Sequence, residues 1–185
     1  MTTSTIHPST TTTTWTLDPA HTLVEFAAKH LMITTVKGRF TDVSGTIHMD
    51  ETDPSASSVE AVIKAASIDT RTDQRDAHLK SADFLEVERF PEITFRSTKL
   101  ERVGDAHYRV TGDLTIHGVT KPVVLDVSDE GRTKDPWGGE RAGYSAKTKI
   151  NRKDFGLGWN VALETGGILV GEDVTIRLEV QFVKQ

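Results

Sequence analysis

The side chains able to do acid–base or metal chemistry in this sequence are its histidines and one short acidic run. Seven histidines occur, but none as His-x-His or His-x3-His, the close spacings that put two imidazoles on one metal ion. Asp83, Glu86, Glu88 and Glu92 cluster in sequence; their spacing carries them around a helix end and a turn, as on a solvated surface. His78, between Ala77 and Leu79, and His117, beside Gly118, are the histidines that a neighbouring acid would turn into a proton-transfer site. His21 and His30 flank one expected strand, where structural roles are expected. No Gly-x-Ser-x-Gly elbow, His-Glu-x-x-His, P-loop or dinucleotide fingerprint is present. With no cysteine, thiol catalysis and thiolate zinc sites are excluded. The expectation is therefore no catalytic residue, no metal and no cofactor.

The elements that carry these side chains read as strands. In Tyr108–Ser128, Val110, Leu114 and Ile116 alternate with Arg109, Thr111, Asp113 and Thr115, the period of a half-buried strand. Val123, Leu125 and Val127 resume that alternation. An even loop keeps both apolar sets on one face. Pro122, with no N–H for a ladder, suits the start of the returning strand, which favours a four-residue loop, Gly118–Lys121, pairing Leu114 with Leu125. Alternation also marks Leu23–His30 through Val24, Phe26 and Ala28, and Ser58–Ile68 through Val59, Ala61 and Ile63. Glu92–Leu100 shows it through Ile93 and Phe95, Tyr144–Ile150 through Tyr144 and Ala146, and Glu172–Val183 through Val174 to Phe182. Trp15–Asp18 is a short first strand, and Met32–Thr46 is a less regular one. Asp73–Phe84 departs from period two and has high helix propensity, with Thr72 or Asp73 as N-cap.

A chain of 185 residues with a formal charge of −5 is one domain, large enough to bury a core without disulfides or a structural metal. The mild acidity argues against a nucleic-acid surface. Residues 1–14 carry eight threonines and one aliphatic residue after the initiator Met, the composition of a disordered tail, so the domain is expected over 15–185. Neither an apolar secretory core nor an 18-residue apolar stretch is present, which places the expected protein in the cytoplasm with no membrane span.

About eight long strands and one helix make an all-β fold, in which a sheet with one apolar face must close or stack to hide it. An eight-stranded barrel is either filled by side chains or holds one small ligand. Asn151–Gly171 adds an anomaly: connections are normally polar, yet this one carries Phe155, Leu157, Trp159, Val161 and Leu163. A lid or cavity mouth is expected there, or a subunit contact.

Three stretches together resemble the YceI family of polyisoprenoid-binding-like proteins. They are WTLDPAHTLVEFAAKHLMITTVKGRF from Trp15, DQRDAHLKSADFLEVERFPEITFRST from Asp73, and GDLTIHGVTKPV from Gly112. With Asn151–Gly158 and the last strand, the resemblance covers about residues 15–184. It implies an extended, eight-stranded antiparallel lipocalin-like barrel, often a homodimer. It implies a long apolar molecule inside, such as a polyisoprenoid chain or a fatty amide, and no catalytic residues.

The main expectation is therefore non-enzymatic binding, storage or transport of such a lipid. The walls are assigned to Phe26, Ile63, Phe95, Leu114, Leu125, Tyr144 and Ile176, with Phe84 and Trp159 near the openings, and Arg39 or Arg75 at a polar head group. One alternative is a side-chain-filled barrel used for protein contacts, marked by a cavity below ~300 Å³. The other is an enzyme on a small apolar substrate, marked by His78 or His117 facing the cavity.

Overall fold

The computed structural model describes residues 11–185. Its first strands are β1 (Thr12–Leu17), β2 (Leu23–His30), β3 (Thr34–Phe40), β4 (Val43–Asp50), β5 (Ser58–Lys64) and β6 (Ile68–Asp69). After the helix α1 (Asp73–Lys80) come β7 (Glu92–Arg102), β8 (His107–Ile116), β9 (Val119–Lys134), β10 (Glu140–Asn151) and β11 (Val170–Lys184). All pair antiparallel, in the order β1-β4-β5-β7-β8-β9-β10-β11, and β1 pairs back onto β11 to close an eight-stranded ring. Closure removes the sheet edges that would otherwise recruit other chains.

The remaining strands hang on β11, whose length serves two neighbours. Its last residues, Phe182–Lys184, meet β1, while Val170–Glu179 meet β2, which continues through β3 to β6. The barrel is thus extended at one end by β2, β3 and β6. The strands and the one main helix agree with the alternation, and the extended lipocalin-like barrel is the architecture that the family resemblance implies.

Three local readings need correction. Thr12–Thr14 are not tail: they pair with Asp50–His48 of β4, because the wholly buried Trp15 fixes the strand and β4 satisfies the backbone before it. The expected tail over 1–10 lies outside the described residues. The helix ends at Lys80, where the Ser81 hydroxyl and amide both bond the His78 carbonyl. The turn that follows drives Phe84 and Leu85 inward, each 7% exposed.

The β8–β9 hairpin closes through His117-Gly118 alone, pairing Ile116 with Val119 and Leu114 with Lys121. Both turn residues have positive φ, +53° and +71°, as a type I′ turn requires. Val110, Leu114 and Ile116 still share a face with Val119, Val123 and Leu125, so the predicted face is correct and the register is not. Pro122 falls opposite Asp113 at a pair that exchanges no ladder bond. Its missing N–H faces the side where β10 has already parted from β9, since their pairing stops at Lys147–Asp126.

Candidate functional site

The barrel interior divides into a packed half and a hollow half. The packed half is a cluster of Ala65, Ile68, Leu85, Ile93, Leu114, Ile116, Phe155 and Leu157, none more than 8% exposed. Its centre comes from the apolar segment after β10. Asn151 caps a 3-10 turn, Arg152–Phe155, by accepting from the Lys153 amide, and Gly156 ends it at φ +74°. This turn drops Phe155 and Leu157 into the barrel, so the segment is a plug, not the rim of a cavity.

Arg152 holds the plug in place. Only 4% exposed, its guanidinium donates to the carbonyls of Leu157 (2.5 Å), Trp159 (2.9 Å), Gly171 (2.9 Å) and Val170 (3.2 Å). Burial pulls its pKa below the ordinary arginine value, with the Glu172 charge opposing. Four carbonyl dipoles stand where a counter-ion would.

The hollow half is a cavity of about 240 Å³ with apolar walls. Leu125 and Val127 of β9 and Leu178 and Val180 of β11 point into it yet are only half-buried, because they face space. Ile63 and Phe95, which also pack against the plug, close its inner end. Tyr144 lines the wall; burial, chiefly, pushes its phenol pKa up, so it stays a neutral donor. The volume falls below the ~300 Å³ that separates a ligand site from a side-chain-filled barrel, so size alone meets the mark set for the filled-barrel alternative; the apolar lining is what points to a ligand. A narrow flexible chain suits it; a broad rigid ligand does not. A second hollow, about 300 Å³, occupies the gap where β9 and β10 part, but Lys121, Thr148, Lys149, Asn151 and Asp154 make it polar and open.

The polar lining residues Asp50, Glu51, Ser57, Ser58, Asp129 and Arg132 gather at one end and mark the mouth. Arg132 on β9 reaches across the lumen to β4, four places away around the ring. It donates to Glu51 Oε2 (3.0 Å) and to Met49 Sδ, and its guanidinium lies 5.2 Å from the Trp15 ring centroid. Thr13 Oγ1 donates to Glu51 Oε1 (2.8 Å) and itself accepts from Trp15 Nε1 (2.9 Å). Burial alone would raise the Glu51 pKa; the bonds from Thr13 and Arg132 outweigh it and hold the carboxyl below the usual range.

Of the nine residues assigned to the ligand from sequence, Ile63, Phe95, Leu125 and Tyr144 line this cavity. Leu114 belongs to the plug and Phe26 packs against it. Ile176 has the inward parity of Leu178 but lies between Thr148 and Phe26, toward the plug. Phe84 and Trp159 form a closed aromatic group around His78 at the helix end, with ring centroids 4.6–5.2 Å apart. Arg39 pairs with Asp69 (3.2 Å), and Arg75 is spent on Thr70 and Thr72; neither lines the cavity. Arg132 was missed, although the slip of the alternation from Val127 through Asp129 to Gly131 was a visible signal.

His78 and His117 are paired away from the cavity. His78 Nε2 lies 2.8 Å from Asp83, and His117 Nε2 lies 3.3 Å from Glu86, with its ring edge-on to Phe90. His117 thereby ties the hairpin tip to the turn after α1. Among the described residues no group of three or more His, Asp or Glu could hold a metal ion. No described helix is long and apolar enough to cross a membrane.

Comparison with known proteins places this architecture. The YceI-like domain family model matches residues 15–182. Protein YceI of Salmonella newport (strain SL254) is 42% identical over 165 residues, covering 89% of this chain and 83% of that protein. The crystal structure of Burkholderia cenocepacia BcnA superposes with a TM-score of 0.78 at 23% identity, covering 89% of this chain and 98% of BcnA. A polyisoprenoid binding domain from Saccharophagus degradans superposes at 0.69 with 15% identity, covering 91% and 97%. By the family match and the Salmonella relative, this chain belongs to the YceI-like family.

Proposed function

We propose that the protein binds a long, flexible, apolar chain molecule in the hollow half of its barrel, as a carrier or store and not as an enzyme. The observation that carries this reading is an apolar-walled cavity of about 240 Å³ inside a closed barrel. Half-buried Leu125, Val127, Leu178 and Val180 forgo contacts that a chain of methyl and methylene groups would restore. Each buried CH₂ contributes up to ~0.8 kcal/mol, so a five-carbon prenyl unit contributes roughly 4 kcal/mol. A few units exceed the cost of association. This gain has no direction, so it selects a class of ligand by narrowness and apolarity. The Saccharophagus neighbour, described as polyisoprenoid binding, supports a prenyl chain as the first class to try.

The non-enzymatic part rests on the walls, which hold no facing acid–base pair deep in the cavity; its carboxylates sit at the mouth, engaged with backbone or with Arg132. A side-chain-filled barrel is the second reading, favoured by the cavity's small volume and by the second buried cluster around Trp15, Leu17, Val43 and Phe182 beside it. A homodimer and a cytoplasmic setting belong to the same proposal, read by light scattering and by cell fractionation. The test of binding is native mass spectrometry of purified protein, before and after incubation with farnesyl to octaprenyl alcohols. One chain per barrel is expected. Protein that emerges empty and takes up none of the series overturns the reading.

A further inference from the structure

At Glu130 the β9–β10 ladder takes in one extra residue: Asp129 pairs with Tyr144, and Gly131 with Gly143. The bulge is built deliberately. Gly131 adopts φ +109°, which other residues rarely reach, and its amide donates to Asp129 Oδ1 at 2.8 Å. Its effect is a change of parity. Without it, residue 131 would follow Val127 and Asp129 into the lumen; with it, Arg132 does, opposite the inward-facing Ala142. Bulges re-aim side chains at functional sites, and this one aims a guanidinium across the mouth of an otherwise apolar cavity.

Arg132 is incompletely matched there. Nη1 donates to Glu51 and the Tyr144 hydroxyl is also within hydrogen-bond reach of the guanidinium, whereas Nη2 donates to the Met49 thioether, a weak acceptor. An oxygen acceptor on the end of a bound chain would give Nη2 a stronger partner and leave the Glu51 pair intact. The charge around it limits which oxygen. Asp50, Glu51 and Asp129 line the same cavity against Arg132 alone, and the nearby Lys184, 5.7 Å from the Trp15 ring, is paired with Glu140. The mouth is net negative.

We infer that Arg132, aimed by the Glu130–Gly131 bulge, is the residue that reads the polar end of the bound chain, and that the mouth selects an uncharged oxygen-bearing end over a phosphate. This rests on the interior-binding reading and adds a specificity to it. A hydroxyl or carbonyl takes the Nη2 bond without cost; a phosphate must also face the Glu51 and Asp129 carboxylates.

The test uses four ligands with one geranylgeranyl chain: the hydrocarbon, the alcohol, a methyl ketone and the monophosphate. Dissociation constants are measured for the full-length wild type, Arg132→Met and Glu51→Gln. Comparing each ligand between proteins cancels its own behaviour in water. A hydrogen bond to a charged donor is worth roughly tenfold or more in affinity, so Arg132→Met should weaken the ketone and alcohol about tenfold and leave the hydrocarbon within about twofold. Hydrocarbon uptake also certifies that the variant is folded. Glu51→Gln, which keeps Arg132, should strengthen the phosphate about tenfold relative to the ketone. Equal changes for hydrocarbon and ketone in Arg132→Met, or an unchanged phosphate in Glu51→Gln, overturn the inference. A wild type that binds none of the four overturns the interior-binding reading and this inference with it, whereas hydrocarbon binding with no discrimination overturns the inference alone.

Discussion

Replacing Arg152 by Met keeps an unbranched apolar stem and removes its four hydrogen bonds. The Val170 carbonyl retains a partner, because Asn160 Nδ2 donates to it at 2.8 Å. Trp159 is half-buried, so its carbonyl regains water. The carbonyls of Leu157 and Gly171, on buried residues, are left without a donor. Each orphaned buried acceptor costs about 1–3 kcal/mol. With the loss of the Trp159 bond, the variant should be about 3–5 kcal/mol less stable, a large share of the ~5–15 kcal/mol of an ordinary domain. Equilibrium urea unfolding at pH 7 reads this as a lower midpoint at unchanged slope. A loss below about 1 kcal/mol would refute the claim that Arg152 holds the plug.

Other perturbations separate the two faces and the two halves of the barrel. Leu114→Arg puts a charge into the plug, where Leu114 is 8% exposed, and should cost more than about 4 kcal/mol and abolish folding. Thr111→Arg, on the outer face, should stay within about 0.5 kcal/mol by thermal melting; equal effects would mean the faces are misassigned. A Cβ on Gly112 would lie 2.4 Å from the Phe95 ring and 2.6 Å from the Arg96 carbonyl, so Gly112→Ala should lower the melting temperature sharply. Gly158→Ala, with no atom within 4 Å, should not. Acid should destabilise the protein. His21, chiefly, and Arg141 hold Asp18 low against burial, Arg141 does the same for Asp135, and Lys153 does so for Glu172. Unfolded carboxylates titrate near ~4, so the unfolded chain binds more protons below that pH. Stability is full above it and lost as pH falls through the folded values. Melting temperatures from pH 7 to pH 3 should drop, and less steeply in Asp18→Asn; a flat profile would contradict the assignment.

Alternation told which way a side chain faces, and little about how deep it lies. Phe26, Leu114 and Ile176 have the inward parity of Leu125 and Leu178 but lie toward the plug, because depth depends on where strands start and on what fills the barrel. The filler is Phe155 and Leu157, whose sequence showed an apolar connection without its destination. The hairpin register was illegible for a related reason. A type I′ turn needs positive φ at both positions, and His117-Gly118 lacks the Asn-Gly or Asp-Gly pair that announces one. The turn is held instead by Glu86 and Phe90, contacts that no local pattern contains. The bulge at Glu130 showed in the sequence only as a slip of alternation; where it aims Arg132 exists only relative to β10 and β4. Residue-level hydropathy carried the closed barrel; the cavity and its charged mouth are properties of packing.

The most direct test of an apolar chain in the hollow half is methyl NMR of the protein with and without a geranylgeranyl alcohol. The account predicts shift changes and ligand contacts at Val110, Leu125, Leu178 and Val180, with Leu114, Ile116 and Leu157 of the plug unmoved. Contacts at the plug, or bound ligand that leaves the cavity methyls unchanged, would contradict it.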